Sequence, residues 1–183
     1  MEKIYNDIEK VLLTKEQIAE RIKELGAEIT KKYDGEEVVV IGVLKGCVVF
    51  MTDLIRNIDL PMDIDFMVAS SYGADTKSSG NVKIIKDINI DVHNKNVIIV
   101  EDIIDTGLTM KNLKEIFEVR QCKSISICTL LDKKERRKVE IDADYIGFDV
   151  PNEFVVGYGL DYAEHYRELP YIGILKPEVY ENH

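Results

Sequence analysis

The feature that most constrains the fold is a series of short apolar runs, rich in Val and Ile, separated by helix-like segments. The runs are VVVIGV (38–43), DIDFMVAS (63–70), VKIIKDI (82–88), VIIV (97–100), SISICTLL (124–131), YIGFDV (145–150) and FVVGY (154–158). Nearly continuous apolar runs of strand length belong to parallel sheets whose two faces are both covered. Helices to cover them are legible. One runs from Thr14 to about residue 33, with Ile18, Ile22, Leu25 and Ile29 at helical spacing and a Thr14/Gln17 capping box. A second is CVVFMTDLIRNI from Cys47, and a third is TMKNLKEIFEVR from Thr109, with Met110, Leu113, Ile116 and Phe117 on one face. The expectation is an α/β fold with a largely parallel sheet flanked by helices, in one domain over residues 1–183.

Composition excludes little but tilts the balance. A net charge of −10 disfavours non-specific nucleic-acid binding, which needs cations against phosphate. No apolar stretch reaches membrane-spanning length, and MEKIYNDIEKVLL lacks the pattern of a secretory signal. Cys47, Cys122 and Cys128 are scattered and set in apolar surroundings, as expected of reduced core thiols in a cytoplasmic protein. His93, His165 and His183 do not cluster and read as surface residues.

One run ends unusually, in VIIVEDIIDTGLTM (97–110). In parallel sheets ligands bind beyond the carboxyl ends of the strands, so Glu101, Asp102 and Asp105 fall on the ligand side. Gly107 permits a tight turn or a close approach, and Thr106 and Thr109 set hydroxyls beside amides that open a helix, which together make an anion cradle. Glu101 and Asp102 accept only. They suit donors such as sugar hydroxyls, or a cation carried in by a phosphorylated ligand. Asp105 is left beside the cradle as a candidate proton acceptor. The plain alternative is a solvated acidic turn before a helix.

The stretch resembles the phosphoribosyl-diphosphate signature of type I phosphoribosyltransferases: an apolar strand, paired acids, two apolar residues, then Asp-Thr-Gly-x-Thr. The flanking GVLKG (42–46), SSYG (70–73), LLDKKERR (130–137) and EFVVGYGLDYAEHYR (153–167) resemble the hypoxanthine-guanine branch of that family. The resemblance implies a purine salvage enzyme using phosphoribosyl diphosphate, a 6-oxopurine and Mg²⁺, and a homodimer or homotetramer. It also implies a small hood for the purine built from the N- and C-terminal segments.

Roles for individual residues follow from the same resemblance. Glu101 and Asp102 would hold the ribose hydroxyls, directly or through Mg²⁺. Asp105, Thr106, Gly107, Leu108 and Thr109 would wrap the 5′-phosphate, with Asp105 also the general base at purine N7. Some relatives carry Lys at the position of Leu108, where the contact is made by the backbone. Lys45 and Gly46 would bind pyrophosphate through a loop that often has a cis peptide before the lysine. A loop opening at Ser71 and Tyr72 would close over the substrates. Lys133 would donate to the purine 6-oxo group, Phe154 would stack on the base, and Val155 would read its edge. Asp161 would sit near the 2-position and a pyrophosphate-bound Mg²⁺, and Arg167 would clamp pyrophosphate.

Read without the resemblance, Lys45-Gly46 is an ordinary turn, 70–83 a polar loop, Lys134, Arg136 and Arg137 a solvated charge run, and Phe154 and Val155 core strand residues. Two other readings compete. IIDTG resembles the aspartic-protease signature, which requires an all-β fold and a strand after Gly107. A nucleotide-sensing, RNA-binding regulator on the same fold requires a basic surface.

Overall fold

The computed structural model describes residues 6–71 and 82–181. The loop residues from Tyr72 onward, together with His183, lie outside the described residues. Ser71 is described through its backbone, as the last residue of a strand.

The larger sheet has six strands: β2 (Val38–Leu44), β3 (Met62–Ser71), β4 (Val82–Lys86), β5 (Asn96–Ile104), β6 (Ser124–Asp132) and β7 (Tyr145–Asp149). Their spatial order is β4-β3-β2-β5-β6-β7. All neighbours pair in parallel except β4, which runs antiparallel to β3 at one edge. From β2 the chain moves outward to β3 and β4, then returns to lay β5 on the other flank of β2. That reversal leaves a crevice beyond the carboxyl ends of β2 and β5, where such sheets take their ligands.

Alternation explains why the central runs are apolar throughout. Val38 and Val40, with Ile98 and Val100, face a core built with α1 (Lys15–Lys32) and α2 (Val48–Ile55). Val39, Ile41 and Val43, with Val97 and Ile99, face the opposite core, filled by Met110, Leu113 and Phe117 of α3 (Leu108–Val119). The capping box of α1 forms as expected: the Thr14 N–H donates to Gln17 Oε1 (2.8 Å) and the Gln17 N–H to Thr14 Oγ1 (3.3 Å). The helical course of Leu108–Val119 removes the aspartic-protease reading.

A second, antiparallel sheet has the order β1-β9-β8, from β1 (Ile8–Leu13), β8 (Val155–Val156) and β9 (Ile172–Leu175). A short helix, α4 (Pro177–Tyr180), follows β9. FVVGY contributes only two residues of strand because Gly157 and Tyr158 turn into positive φ (98° and 51°). β5 departs from expectation in the other direction. The run VIIV ends at Val100, but the strand continues to Ile104, pairing Glu101 with Thr129 and Ile104 with Asp132 of β6. Both carboxylates therefore sit on regular, rigid strand.

Candidate active site

Two cavities share the crevice. One, of about 260 Å³, lies between the β2 and β5 loops and is lined by Leu44, Gly46, Glu101, Asp102, Thr106, Gly107 and Thr109 among others. The other, of about 380 Å³, reaches toward the small sheet and is lined by Lys133, Asn152, Phe154, Val155, Leu160, Asp161 and Tyr180 among others. Asp102, Ile103 and Asp105 line both, so the two chambers meet at the carboxylates.

The smaller chamber is built for an anion and for hydroxyls. Gly107, at φ 81°, turns the chain from β5 into α3, and no side chain caps the helix there. The Leu108 N–H reaches Thr106 Oγ1 only at 3.4 Å. The opening amides of α3 are thus available to an anion. A Cβ on Gly107 would meet Ile141 at 2.5 Å and Arg137 at 2.8 Å, so the close approach that glycine serves here is to protein.

Across the chamber the Leu44–Lys45 peptide is cis and leads into Gly46. A Cβ on Gly46 would fall 1.6 Å from Asp102 Oδ2. Burial, then the neighbouring charge of Asp102, pushes the Glu101 carboxyl well above its usual range. Burial raises Asp102 as well, against a fixing bond from the Ile103 N–H at 2.8 Å and the attraction of Arg167. Such a pair gains from any partner that donates or carries positive charge. Among the described residues no group of three His, Cys, Asp or Glu side chains is close enough to hold a metal by itself. Asp161 is engaged elsewhere, with Arg167 at 3.0 Å and the Glu164 N–H at 2.9 Å.

In the larger chamber Lys133 is buried and its Nζ donates to the Glu153 carbonyl at 2.6 Å. Burial holds its ammonium below the usual lysine range. Phe154 keeps 36% of its surface exposed, whereas Val155 behind it is buried. Lys45 is exposed and pairs with Glu164 at 3.0 Å, and Glu164 also lies 3.4 Å from Arg167. The Arg167 Nη1 donates to the Gly159 carbonyl at 2.8 Å.

One member of the charge run, Arg137, is not free in solvent, contrary to the plain reading. Arg137 is largely buried, bonded to the Asp132 carboxylate and to the Asp105 carbonyl (3.1 Å). Arg136 lies with its Nε 3.1 Å from Asp105 Oδ1. Their neighbours are set by the turn after β6, which no local pattern announces. Lys134 stays exposed and pairs with Asp149. Tyr180 was missed for the same reason, since it reaches the chamber only through the fold of α4. His93 and His165 are exposed, and the buried Cys47 and Cys128 are free thiols.

Among the described residues, the buried side-chain polar atoms that lack a hydrogen-bond partner are Asp105 Oδ1 and Arg167 Nε. Both lie at this end of the sheet, the first beside the Arg136 guanidinium in an exposed ion pair, the second a donor left over from the bonds of Arg167.

Comparison with known proteins agrees. The family model for the phosphoribosyl transferase domain matches residues 10–163. The chain is 58% identical to the hypoxanthine-guanine phosphoribosyltransferase of Bacillus subtilis, over 97% of this chain and 98% of that protein. It superimposes on the crystal structure of a hypoxanthine phosphoribosyltransferase from Staphylococcus aureus with a TM-score of 0.94 at 54% identity, covering 97% and 96% of the two chains. It is also 56% identical to the bifunctional protein TilS/HprT of Listeria monocytogenes, but spans only 28% of that relative's length. These relatives lend no support to an RNA-binding regulator. Signature, sheet order and relatives converge: the chain belongs to the phosphoribosyltransferase family.

Proposed function

We propose that this chain transfers the 5-phosphoribosyl group from phosphoribosyl diphosphate to hypoxanthine or guanine, giving IMP or GMP and pyrophosphate. The observation that carries the reading is the pair of chambers joined at Asp102 and Asp105, one donating to an anion and the other setting aromatic rings beside a buried ammonium.

The 5′-phosphate takes the amides and hydroxyls from Thr106 to Thr109. Glu101 and Asp102 accept from the ribose hydroxyls, which compensates the burial that raises both groups. Lys45, Gly46 and Arg167 hold the diphosphate, Arg167 with its planar fork. Mg²⁺ carried in with the diphosphate would neutralise leaving-group charge, and Glu101, Asp102 and Asp161 are the side chains that would hold it. The base lies against Phe154 with its edge on the Val155 backbone. Lys133 turns from the Glu153 carbonyl to the 6-oxo group, an acceptor that adenine lacks.

In the reaction the bond from C1′ to the diphosphate oxygen breaks and a bond from C1′ to purine N9 forms. The proton at N7 passes to Asp105 as positive charge develops on the base. Asp105 and Arg136 are both substantially exposed, so their ion pair is screened and readily exchanged for the purine. A small sheet assembled from both ends of the sequence serves as the hood over the base. The chain is proposed to act as a homodimer or homotetramer.

The test is nucleotide formation, by absorbance and chromatography, with phosphoribosyl diphosphate, Mg²⁺ and each of hypoxanthine, guanine, xanthine, adenine and uracil. Turnover with hypoxanthine and guanine but not adenine is expected. Turnover with adenine or uracil, or with no base at all, overturns the assignment.

A further inference from the structure

Beside Phe154, on which the base lies, the larger chamber has an aromatic lining residue for which the reaction described above gives no role. That residue is Tyr180, although it belongs to α4, beyond the small sheet. Its ring stacks on Phe154, with centroids 4.9 Å apart and planes inclined by 21°. Tyr162 meets Phe154 edge-on, at 5.5 Å and 89°.

The backbone sets up this stack. The Leu175 N–H donates to the Phe154 carbonyl at 2.8 Å, which ties the end of β9 to the residue that carries the ring. Pro177 then starts α4 at once, and the Val179 and Glu181 N–H groups close its single turn on Lys176 (3.0 Å) and Pro177 (2.9 Å). Val179 and Tyr180 pack on the core of the small sheet beside Val156 and Leu175. A half-open Phe side chain has several rotamers to choose from, and a stacked neighbour removes that freedom. Among the described residues the Tyr180 hydroxyl makes no hydrogen bond, so the ring is the part that acts.

We propose that Tyr180 is a positioning residue for the purine: by stacking on Phe154 it fixes the ring plane against which the base binds. Binding of the base, and not of phosphoribosyl diphosphate, then depends on α4. This rests on the function proposed above and adds to it a residue outside the family signature.

Steady-state kinetics with guanine and phosphoribosyl diphosphate test it in wild type, Tyr180→Phe and Tyr180→Leu, with circular dichroism and Tm as controls on folding. Tyr180→Phe is expected to match wild type. Tyr180→Leu is expected to raise the KM for guanine ~3- to 10-fold, the scale of one aromatic pair, with the KM for phosphoribosyl diphosphate and kcat unmoved. In a Phe154→Leu background the same change is expected to have no further effect, since the partner ring is gone.

An unmoved guanine KM in Tyr180→Leu overturns the role, as does a lowered one, which would make Tyr180 an obstruction. Equal loss in Tyr180→Phe, or a matching rise in the KM for phosphoribosyl diphosphate, also overturns it. Absence of turnover in wild type overturns the functional reading itself, which separates the two failures.

Discussion

Asp105 and Glu101 illustrate how single residues divide function from stability. Asp105 Oδ1 has nothing to lose beyond an exposed, screened ion pair with Arg136, and its carbonyl would keep the bond from Arg137 after a change of side chain. Asp105→Asn is therefore expected to leave Tm unchanged while kcat falls by ~10²–10⁴, the usual range for a general base. Unchanged turnover would remove the base assignment. Glu101 is the opposite case, because burial and Asp102 raise its pKa in the folded state. A raised value means that the folded chain binds a proton which the unfolded chain releases. Stability is then complete below the unfolded value and falls as pH rises through the folded one. Glu101→Gln removes that loss, so its Tm is expected to exceed wild type near pH ~7.5 and to match it near pH ~4. In a chain of this size each kcal/mol amounts to about 2–4 °C. Thermal melts at the two pH values decide the matter, and activity is expected to fall in the same variant. The active site thus carries an electrostatic cost that a ribose would relieve.

At the level of elements, the loop after β2 and the end of β5 are in contact through Gly46. A Cβ there would overlap Asp102 Oδ2, and a Cβ on Gly159 would lie 2.1 Å from the Gly46 carbonyl. Gly46→Ala is expected to push the loop off β5, costing ~1–3 kcal/mol as an overpacked contact and raising the KM for phosphoribosyl diphosphate. A melt and a substrate titration read the two effects. This contact also marks where sequence reasoning stops. The capping box of α1, the core face of α3 and the buried runs of β2 and β5 are local signals, and they were legible. β1 and β9 were not, because six and four residues carry too little pattern and their pairing partners lie at opposite ends of the chain. Glu101, Asp102 and the Thr106 to Thr109 turn stood out because one strand presents them together. Gly46 against Asp102, Arg136 against Asp105 and Tyr180 against Phe154 join residues distant in sequence or turned toward each other by a loop, and only tertiary structure brings them together.

Taken whole, the molecule treats its two sheet ends differently. At the amino end of the strands lies a cavity of about 450 Å³ whose polar groups already serve one another. Lys123 pairs with Glu36 at 2.6 Å, Lys95 with Asp63 at 3.3 Å, and the Ser124 hydroxyl donates to Asn96 at 2.8 Å. At the carboxyl end stand two buried carboxylates side by side and, at Arg167 Nε, a donor with no hydrogen-bond partner among the described residues. Phosphoribosyl diphosphate with Mg²⁺ is therefore expected to stabilise the whole chain by about 2.7 kcal/mol at a hundredfold excess over Kd, a Tm rise of about 5–11 °C. Thermal shift without added base measures it, and no shift would empty the smaller chamber of its assigned ligand. The antiparallel pairing of β1 with β9 carries a consequence of another kind. A chain emerging from the ribosome has β2, β5 and α3 in hand while β9 is still untranslated, and the first strand must wait unpaired for one made near the end. Biosynthesis thus readies the smaller chamber first, and the small-sheet wall of the larger one is the last part of the crevice to be born.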